Sequence, residues 1–310
     1  MAVLLSTDPD AMHEWRAALL AEDPGLGIRF FPDVGDPAAV EAAVVWTGHD
    51  MAELRRYPNL RLVVSMGAGV DHLLRPPGPP PGVPVARLVD GRLTQGMTEW
   101  VLLNVLRFHR QDLEYRALQA ERRWEELPAP DTASRRVGIL GLGELGGAAG
   151  AALLALGFPV MGWSRGLKDR PGVECFHGPG GFDAMLGRSD ILVCLLPLTP
   201  ETQGILDRRA FGLLPRGAYL LNAARGGHMA QDDLLAALES GQIAGAALDV
   251  FEPEPLPPDH PFWSHPRVVM TPHAASITVP SSAAPQVVEN LRRARSGRPL
   301  VNLVDFSAGY

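Results

Sequence analysis

Arg136-Val137-Gly138-Ile139-Leu140 runs directly into Gly141-Leu142-Gly143-Glu144-Leu145-Gly146, and an Ala- and Leu-rich helical pattern follows. This order predicts a strand, a glycine-rich turn and a helix. The first glycine of the turn permits a tight bend, the second lets the backbone approach a pyrophosphate, and the third lets the helix pack close to the strand. The helix N-terminus adds N–H donors and the positive end of a dipole. A flexible turn is the alternative, but the flanking strand and helix favour a dinucleotide-binding loop.

Apolar strand patterns continue on both sides of this loop. In the second half of the chain they predict a six-stranded, doubly wound parallel sheet, with strands at residues 137–140, 160–163, 191–196, 219–222, 245–250 and 268–271. In the first hundred residues they predict strands at 2–6, 28–30, 44–47, 62–65 and 83–86, alternating with helices at 11–21, 37–43 and 51–56. This alternation is typical of βαβ units, and the fold class is therefore α/β.

Three further segments connect or close the two series. The proline-rich residues 75–84 predict a surface loop, because proline cannot donate a hydrogen bond within a sheet. Residues 96–123 contain no Pro and no Gly after Gly96, and they predict one long helix that carries the chain from the first lobe to the second. A last helix is predicted at 285–295, and the tail after it is expected to return to the first lobe.

Composition and charge exclude several classes of protein. A chain of 310 residues favours two lobes, since a domain averages about 150 residues. Hydrophobic residues make up 46% and charged residues 20% of the sequence, which is typical of a globular protein. The net charge is −7 and no long Lys/Arg stripe occurs, so a nucleic-acid partner is not expected.

The sequence also gives no sign of a membrane, disulfide or metal protein. No apolar run approaches about 18 residues and the N-terminus lacks a basic flank, so neither a membrane nor a secretion signal is expected and a cytoplasmic location is predicted. The two cysteines, Cys175 and Cys194, do not imply a disulfide framework. The histidine spacings do not match a metal site, and no metal is expected.

The end of the strand at 160–163 bears on the choice of coenzyme. An enzyme that uses NAD usually offers Asp or Glu to the ribose 2′-hydroxyl at this point, but Ser164 and Arg165 stand here, with Lys168 close behind. A carboxylate would repel a 2′-phosphate, whereas a hydroxyl and cations can bind one. The sequence therefore predicts NADP (NADPH) in preference to NAD; a solvated surface arginine is the alternative interpretation.

Three side chains are candidates for the chemistry. Arg225 and His273 each follow a predicted strand, and both are expected at the carboxyl edge of the sheet, where open α/β folds bind ligands. A guanidinium can hold a carboxylate and polarise a carbonyl, and an imidazole exchanges protons near neutral pH. Glu254, in a proline-rich loop, could bond the second ring nitrogen of His273. Taken singly, each has an ordinary surface role as the alternative.

The motifs at residues 222–225, 248–257 and 271–274 occur in the order found in D-2-hydroxyacid dehydrogenases, and the whole chain resembles that family. The segments 67–71, 162–165, 224–228 and 259–263 resemble its glyoxylate/hydroxypyruvate reductase A branch. The Gly227-His228 pair departs from many relatives, which carry a branched apolar residue after Arg-Gly.

The resemblance implies a Rossmann-type coenzyme domain inserted in a flavodoxin-like substrate domain. It implies a substrate-binding domain at residues 1–97 and 276–310, an NADP-binding domain at 98–275, and a homodimer through the coenzyme domains. It also implies that Arg225, Glu254 and His273 are catalytic, with Arg225 and His273 touching the substrate. The coenzyme contacts it implies, beyond the glycine loop and Ser164, Arg165 and Lys168, are at Leu196, Pro197, Ala223 and Asp249, the last near the nicotinamide amide.

For the substrate, the resemblance implies that the loop of Met66, Gly67, Ala68 and Gly69 binds a carboxylate through backbone N–H groups. Trp46 is a further candidate for the substrate pocket, with core packing as its alternative role. The implied reaction reduces glyoxylate, hydroxypyruvate or a similar small 2-keto acid to a D-2-hydroxy acid with a hydride from NADPH. Another specificity, such as phenylpyruvate, is left open because spacing does not fix pocket size.

Other functions fit the sequence less well. Formate dehydrogenases of related sequence pair the histidine with glutamine, where this chain has Glu254. A nucleotide-dependent methyltransferase would leave the three candidate side chains unexplained. The principal alternative is a dimeric NAD(P)-sensing protein that resembles the corepressors of this family.

Overall fold

The computed structural model describes residues 2–7, 9–46 and 50–309. The chain divides into two compact units, one made of residues 1–93 and 277–310 and the other of residues 94–276. Each unit is built around one parallel sheet. No helix in the described ranges is long and apolar enough to cross a membrane.

The first unit contains a five-stranded parallel sheet. Its strands are β1 (Ala2–Ser6), β2 (Gly27–Phe30), β3 (Val40–Val45), β4 (Leu62–Ser65) and β5 (Val85–Ala86), in the order β2-β1-β3-β4-β5. This is the flavodoxin-like order. The helices are α1 (Pro9–Glu22), α2 (Asp71–Leu74) and α9 (Pro280–Ser296), with short 3₁₀ turns at Pro37–Ala39 and Met51–Arg56. One face of the sheet packs against α1 and α9, which places Trp15, Leu19 and Val287 in the core.

The tail of the chain is part of this first unit. The Val304 N–H donates to the Val85 carbonyl oxygen over 2.8 Å, and Leu303 forms an antiparallel bridge with Ala86 at the edge of the sheet. Asn290 is fully buried in α9 and bonds both the N–H and the C=O of Val301. These bonds satisfy backbone groups that would otherwise be left unpaired near the core.

The second unit contains a seven-stranded parallel sheet. Its strands are β6 (Val137–Leu140), β7 (Val160–Ser164), β8 (Glu174–His177), β9 (Ile191–Cys194), β10 (Ala218–Asn222), β11 (Ile243–Leu248) and β12 (Val268–Met270), in the order β12-β11-β10-β9-β6-β7-β8. The strand order reverses between β6 and β9, which is the doubly wound pattern that binds dinucleotides at its switch point. The predicted α/β fold class with two doubly wound parallel sheets is confirmed.

Helices of the second unit cover both faces of this sheet. They are α4 (Asp112–Ala120), α5 (Glu144–Ala155), α6 (Gly178–Leu186), α7 (Arg208–Leu213) and α8 (Gln231–Glu239), together with most of α3 (Gly91–His109). Short 3₁₀ turns lie at Thr132–Ser134, Gly226–His228 and Pro261–Ser264. The buried side chains form one cluster on each face, which explains why the central strands β6 and β9 carry no polar side chain.

The sequence prediction of one helix over residues 96–123 is wrong. The helix ends at His109, and α4 starts at Asp112 after Gln111, which has a left-handed φ of 58°. Asp112 forms an ion pair with Arg107 of α3, across this turn, and another with Arg116 inside α4. A left-handed glutamine costs conformational energy, so the break depends on these side-chain contacts, and no Gly or Pro in the sequence announces it.

Other elements also differ from their predictions, and the helix expected at 51–56 is a 3₁₀ turn. The expected helix at 37–43 is only a 3₁₀ turn followed by β3, because β3 pairs with both β1 and β4 and this central pairing overrides the helical preference of its alanines. The edge strand β8 was not predicted, since its side chains are largely half-exposed or exposed and it lacks an apolar run. The last helix begins at Pro280, and Pro285 lies inside it with its ring exposed.

Candidate active site

The glycine-rich turn between β6 and α5 has the shape that a dinucleotide requires. Gly141 has a φ of +100°, and a Cβ atom there would lie 2.7 Å from the Leu195 carbonyl oxygen. A Cβ on Gly146 would lie 1.8 Å from the Gly141 carbonyl oxygen. At Gly143, the N-cap of α5, no described atom lies within 4 Å of the Cβ position. The turn therefore leaves room for phosphate groups at a helix N-terminus, and its residues fit a dinucleotide coenzyme.

The strand beside this turn carries the residues predicted to select the coenzyme. Ser164 is buried at the end of β7, and its hydroxyl donates to the Gly166 carbonyl oxygen over 2.9 Å. Arg165 and Lys168 are exposed in the loop that follows. Because β7 pairs with β6, the Ser164 hydroxyl at the end of β7 and the two cationic side chains of the following loop lie beside the strand that leads into the glycine turn.

Three predicted coenzyme residues lie on the neighbouring strand ends. Leu196 is buried and Pro197 half-buried just after β9, and Ala223 is buried just after β10. Both strands end at the same edge of the sheet as β6, because all three are parallel. The structure thus brings these residues to the edge where the sequence places the coenzyme.

Arg225 follows β10, and two side chains bind its backbone carbonyl group. The side-chain amide of Asn222 donates to the Arg225 carbonyl oxygen over 3.1 Å, and Nδ1 of His228 lies 3.1 Å from the same oxygen. Nε2 of His228 lies 3.2 Å from the Pro197 carbonyl oxygen, and this imidazole is fully buried. His228 therefore joins the Arg225 loop to the loop after β9, a role that the sequence did not reveal.

A close backbone contact joins the Arg225 loop to the loop after β11. A Cβ on Gly226 would lie 2.0 Å from both the carbonyl carbon and the oxygen of Phe251. Only glycine permits this approach, because real Cβ atoms are never found so near another backbone. The contact sets the distance between Arg225 and Glu254, which belongs to the same loop as Phe251.

Glu254 and His273 form a direct pair. Oε2 of Glu254 lies 2.8 Å from Nδ1 of His273, and Oε1 accepts a hydrogen bond from the Phe251 N–H over 2.8 Å. Both side chains are 35% exposed, so the pair is reachable from solvent. With one ring nitrogen bonded to the carboxylate, the Nε2 atom of His273 is the one that can meet a substrate.

Opposing effects act on the Glu254 carboxyl. Burial alone would raise its pKa. Two hydrogen bonds, from His273 and from the Phe251 N–H, act in the opposite direction, as do the charges of His273 and Arg225. These effects outweigh burial, and the pKa lies below the ordinary value of 4.5. Glu254 is therefore ionised at neutral pH. The charge of Arg225 acts on this carboxylate, so the structure brings the three predicted catalytic residues together at the ends of β10, β11 and β12.

Asp249 anchors the loop that carries His273. This carboxylate is 2% exposed, and its Oδ1 atom accepts hydrogen bonds from the N–H groups of Ala274 and Ala275 over 2.8 and 2.9 Å and from the Thr271 hydroxyl over 2.5 Å. The Asp249 carbonyl oxygen accepts from the His273 N–H over 2.7 Å. His273 has a left-handed φ of 54°, so these bonds hold a strained backbone in place.

The predicted carboxylate-binding loop lies in the first unit, after β4. The Met66 N–H donates to the Val45 carbonyl oxygen over 2.9 Å, and the Gly67 N–H donates to the Ser65 hydroxyl over 3.2 Å. In the described part of the chain, the N–H groups of Ala68 and Gly69 have no such acceptor. Two of the four N–H groups are therefore already engaged inside the unit.

Trp46 packs directly on this loop. A Cβ on Gly67 would lie 2.3 Å from the indole ring, and the ring also meets His72 edge-on with centroids 5.0 Å apart. The indole is half-buried and packs against the core of the first unit. Trp46 thus supports the loop through core packing and keeps part of its ring accessible.

The sequence of this chain is similar to those of known 2-hydroxyacid dehydrogenases. A family model described as D-isomer specific 2-hydroxyacid dehydrogenase, NAD binding domain, matches residues 102–275. The chain is 43% identical over 304 residues, 96% of each protein, to a glyoxylate/hydroxypyruvate reductase A from Serratia proteamaculans. It is 41% identical over 302 residues, again 96% of each protein, to the Yersinia enterocolitica protein of that name.

Solved structures are similar over the full length. A D-isomer specific 2-hydroxyacid dehydrogenase from Xanthobacter autotrophicus Py2, in complex with NADPH and MES, has a TM-score of 0.95 and 45% identity, covering 100% of this chain and 99% of that one. An NADPH-dependent glyoxylate/hydroxypyruvate reductase from Sinorhizobium meliloti, in complex with NADP and sulfate, has a TM-score of 0.92 and 41% identity with the same coverage.

Proposed function

Because this chain belongs to the D-isomer specific 2-hydroxyacid dehydrogenase family, as its resemblance predicted, we propose that it reduces small 2-keto acids to D-2-hydroxy acids with NADPH. The similar proteins named glyoxylate/hydroxypyruvate reductase indicate glyoxylate, hydroxypyruvate or a close analogue as substrate. The observation that carries the proposal is the His273–Glu254 pair, 2.8 Å apart, beside Arg225 at the same sheet edge as the glycine turn.

Each of the three side chains has a separate task in this reduction. NADPH held at the glycine turn would supply the hydride that reduces the keto carbon. Arg225 binds the substrate through its guanidinium and polarises the keto group, which makes the carbon more electrophilic. His273, in its charged form, donates the proton from Nε2 to the keto oxygen, so that a hydride and a proton together convert the ketone to the alcohol.

Glu254 acts on the substrate through His273. Its carboxylate fixes the imidazole with Nδ1 toward the loop, and its negative charge stabilises the protonated ring. The low pKa of Glu254 supports this task, because the carboxylate stays charged across the neutral range. The bonds from Asp249 to the same loop hold the ring in place, and we propose that Asp249 also contacts the nicotinamide amide.

The preference for NADPH is supported by the residues after β7. Ser164, Arg165 and Lys168 offer a hydroxyl and two cations where a carboxylate would repel a 2′-phosphate. Two of the similar solved structures hold NADPH or NADP, which agrees with this assignment. Pro197, Leu196 and Ala223 line the coenzyme site from the neighbouring strand ends.

For the substrate carboxylate, the candidates are the backbone groups after β4. We assign the contact to the N–H groups of Ala68 and Gly69, because those of Met66 and Gly67 already donate within the first unit. Trp46 packs on Gly67, and we propose that it limits the size of the substrate by fixing the position of this loop.

A homodimer formed through the coenzyme unit completes the proposal. The α3 face with Leu103 and Leu106 is exposed, and Trp124, in the segment after α4, has an exposed fraction of 103%. Large apolar side chains exposed together are typical of a protein interface. Sedimentation of the protein at several concentrations measures this directly, and a monomer at all of them would contradict the dimer.

One experiment separates the enzyme from an NAD(P)-sensing binding protein. Steady-state rates are measured with glyoxylate, hydroxypyruvate, pyruvate and phenylpyruvate, each with NADPH and with NADH. We expect turnover of the two small substrates with NADPH. Tight NADPH binding without turnover of any keto acid would favour the binding protein. If phenylpyruvate were reduced faster than glyoxylate and hydroxypyruvate, the proposed substrate would be wrong.

A further inference from the structure

Arg170 connects two segments of the coenzyme site that the sequence treats separately. We call residues 165–170 the β7 loop. The Nη2 atom of Arg170, at the end of this loop, donates to the Leu142 carbonyl oxygen over 3.1 Å. Leu142 lies inside the glycine turn. One side chain thus fastens the loop with Arg165 and Lys168 to the turn that is expected to bind the pyrophosphate.

The guanidinium lies against the first turn of α5. A Cβ on Gly147 would come within 3.3 Å of the Cζ and Nε atoms of Arg170, so the glycine makes room for the side chain. The N-terminal turn of a helix carries partial positive charge, and a cation placed there destabilises the helix. The position of Arg170 becomes favourable when an anion is bound nearby, because the anion attracts both the helix end and the arginine.

The hydrogen bonding of Arg170 also favours a bound anion near this side chain. Its Nε atom is buried and has no acceptor among the residues that the structure describes. In the same part of the chain, no carboxylate forms an ion pair with this side chain. A buried donor on a charged group costs free energy when it has no acceptor, and such a group is typical of a position where a ligand supplies one.

We propose that Arg170 is a further specificity-determining residue for the coenzyme: it ties the β7 loop to the glycine turn and adds a third positive charge to the 2′-phosphate subsite. The inference rests on the proposed preference for NADPH. Arg170 acts on the 2′-phosphate in two ways, through its charge and through the position it gives to Arg165 and Lys168.

The test compares two probes that differ only in the 2′-phosphate. The affinities of the full-length protein for 2′,5′-ADP and for 5′-AMP are measured by titration calorimetry, and the ratio of the two dissociation constants isolates the 2′-phosphate subsite. The variants are R170Q, which removes the charge, R170K, which keeps the charge and loses the planar fork, and R165A, which removes the predicted contact. R188Q is the control, because Arg188 pairs with Glu174 on the adjacent strand β8 and has no bond to the glycine turn.

We expect R170Q to reduce the preference for 2′,5′-ADP about tenfold, since a hydrogen bond to a charged group contributes about that factor. R170K should lie between R170Q and the unmodified protein, and R188Q should leave the ratio unchanged. The affinity for 5′-AMP should change little in any variant, which also shows that the variants are folded.

Three results would overturn the inference. If R170Q keeps the full preference while R165A loses it, the 2′-phosphate subsite exists but Arg170 takes no part in it. If R170Q weakens both probes equally, Arg170 only supports the glycine turn. If the unmodified protein does not prefer 2′,5′-ADP at all, the NADPH proposal fails first and the role of Arg170 fails with it.

Discussion

Nδ1 of His273 lies 2.8 Å from Oε2 of Glu254, while the backbone of His273 is held in a left-handed conformation by the Asp249 carbonyl oxygen. His273 is thus fixed from two sides: its ring by a carboxylate on the loop after β11, and its backbone by Asp249, the first residue after β11. An imidazole held in this way presents Nε2 in one direction, which is what proton donation to a substrate oxygen requires.

Replacing His273 with alanine should lower kcat/KM for glyoxylate or hydroxypyruvate by about 10²- to 10⁴-fold, because the proton donor is lost. The dissociation constant for NADPH should change little. Steady-state kinetics and a coenzyme titration measure the two effects. H265A is a matched control, since the ring of His265 accepts a bond from the Arg267 N–H and is bonded to neither Glu254 nor Arg225 in the described part of the chain. Normal turnover by H273A would mean that another group supplies the proton.

E254Q should alter the dependence of stability on pH. The pKa of Glu254 is lower in the folded protein than its ordinary value of 4.5. Its charged form therefore stabilises the fold above that ordinary value, and this contribution is lost as the pH falls through the folded-state pKa. The Tm of E254Q should lie below that of the unmodified protein at pH 7, and the difference should shrink toward pH 3. A Tm difference that stays constant over this range would contradict the pairing.

Gly226→Ala should disrupt the site through the backbone. A Cβ at this position would lie 2.0 Å from the Phe251 carbonyl group, so the loops that carry Arg225 and Glu254 must separate. We expect a loss of about 1–3 kcal/mol in the free energy of unfolding and a larger proportional loss of kcat/KM. Gly212→Ala is the control, because no described atom lies within 4 Å of its Cβ position. Urea unfolding and steady-state rates compare the two variants. Similar values for both would show that the contact between Gly226 and Phe251 does not require glycine.

The sequence predicts the parts of the site that depend on strand ends and glycine spacing. The glycine turn, Arg225 and His273 each follow an apolar strand, and parallel strands bring their carboxyl ends to one edge. The bonds from Asp249 to Ala274 and Ala275, and the contact of Gly226 with Phe251, join loops that are distant in sequence. They depend on how those loops pack, so no local pattern announces them. The break at Gln111 and the half-exposed strand β8 were missed for the same reason, since tertiary contacts determine both.

Ser164→Asp should shift the coenzyme preference from NADPH toward NADH. Ser164 is 9% exposed at the end of β7, where a carboxylate would repel a 2′-phosphate and accept a hydrogen bond from the ribose 2′-hydroxyl. We expect kcat/KM for NADPH to fall about 10- to 100-fold, with that for NADH unchanged or higher, because charge repulsion acts only on the phosphorylated coenzyme. Ser164→Ala separates the two effects: it removes the hydroxyl and its bond to the Gly166 carbonyl oxygen without adding charge, so it should weaken NADPH only modestly. Kinetics with both coenzymes at a fixed keto-acid concentration provide the measurement. If the aspartate variant still prefers NADPH as strongly as the unmodified protein, the 2′-phosphate does not bind at the end of β7.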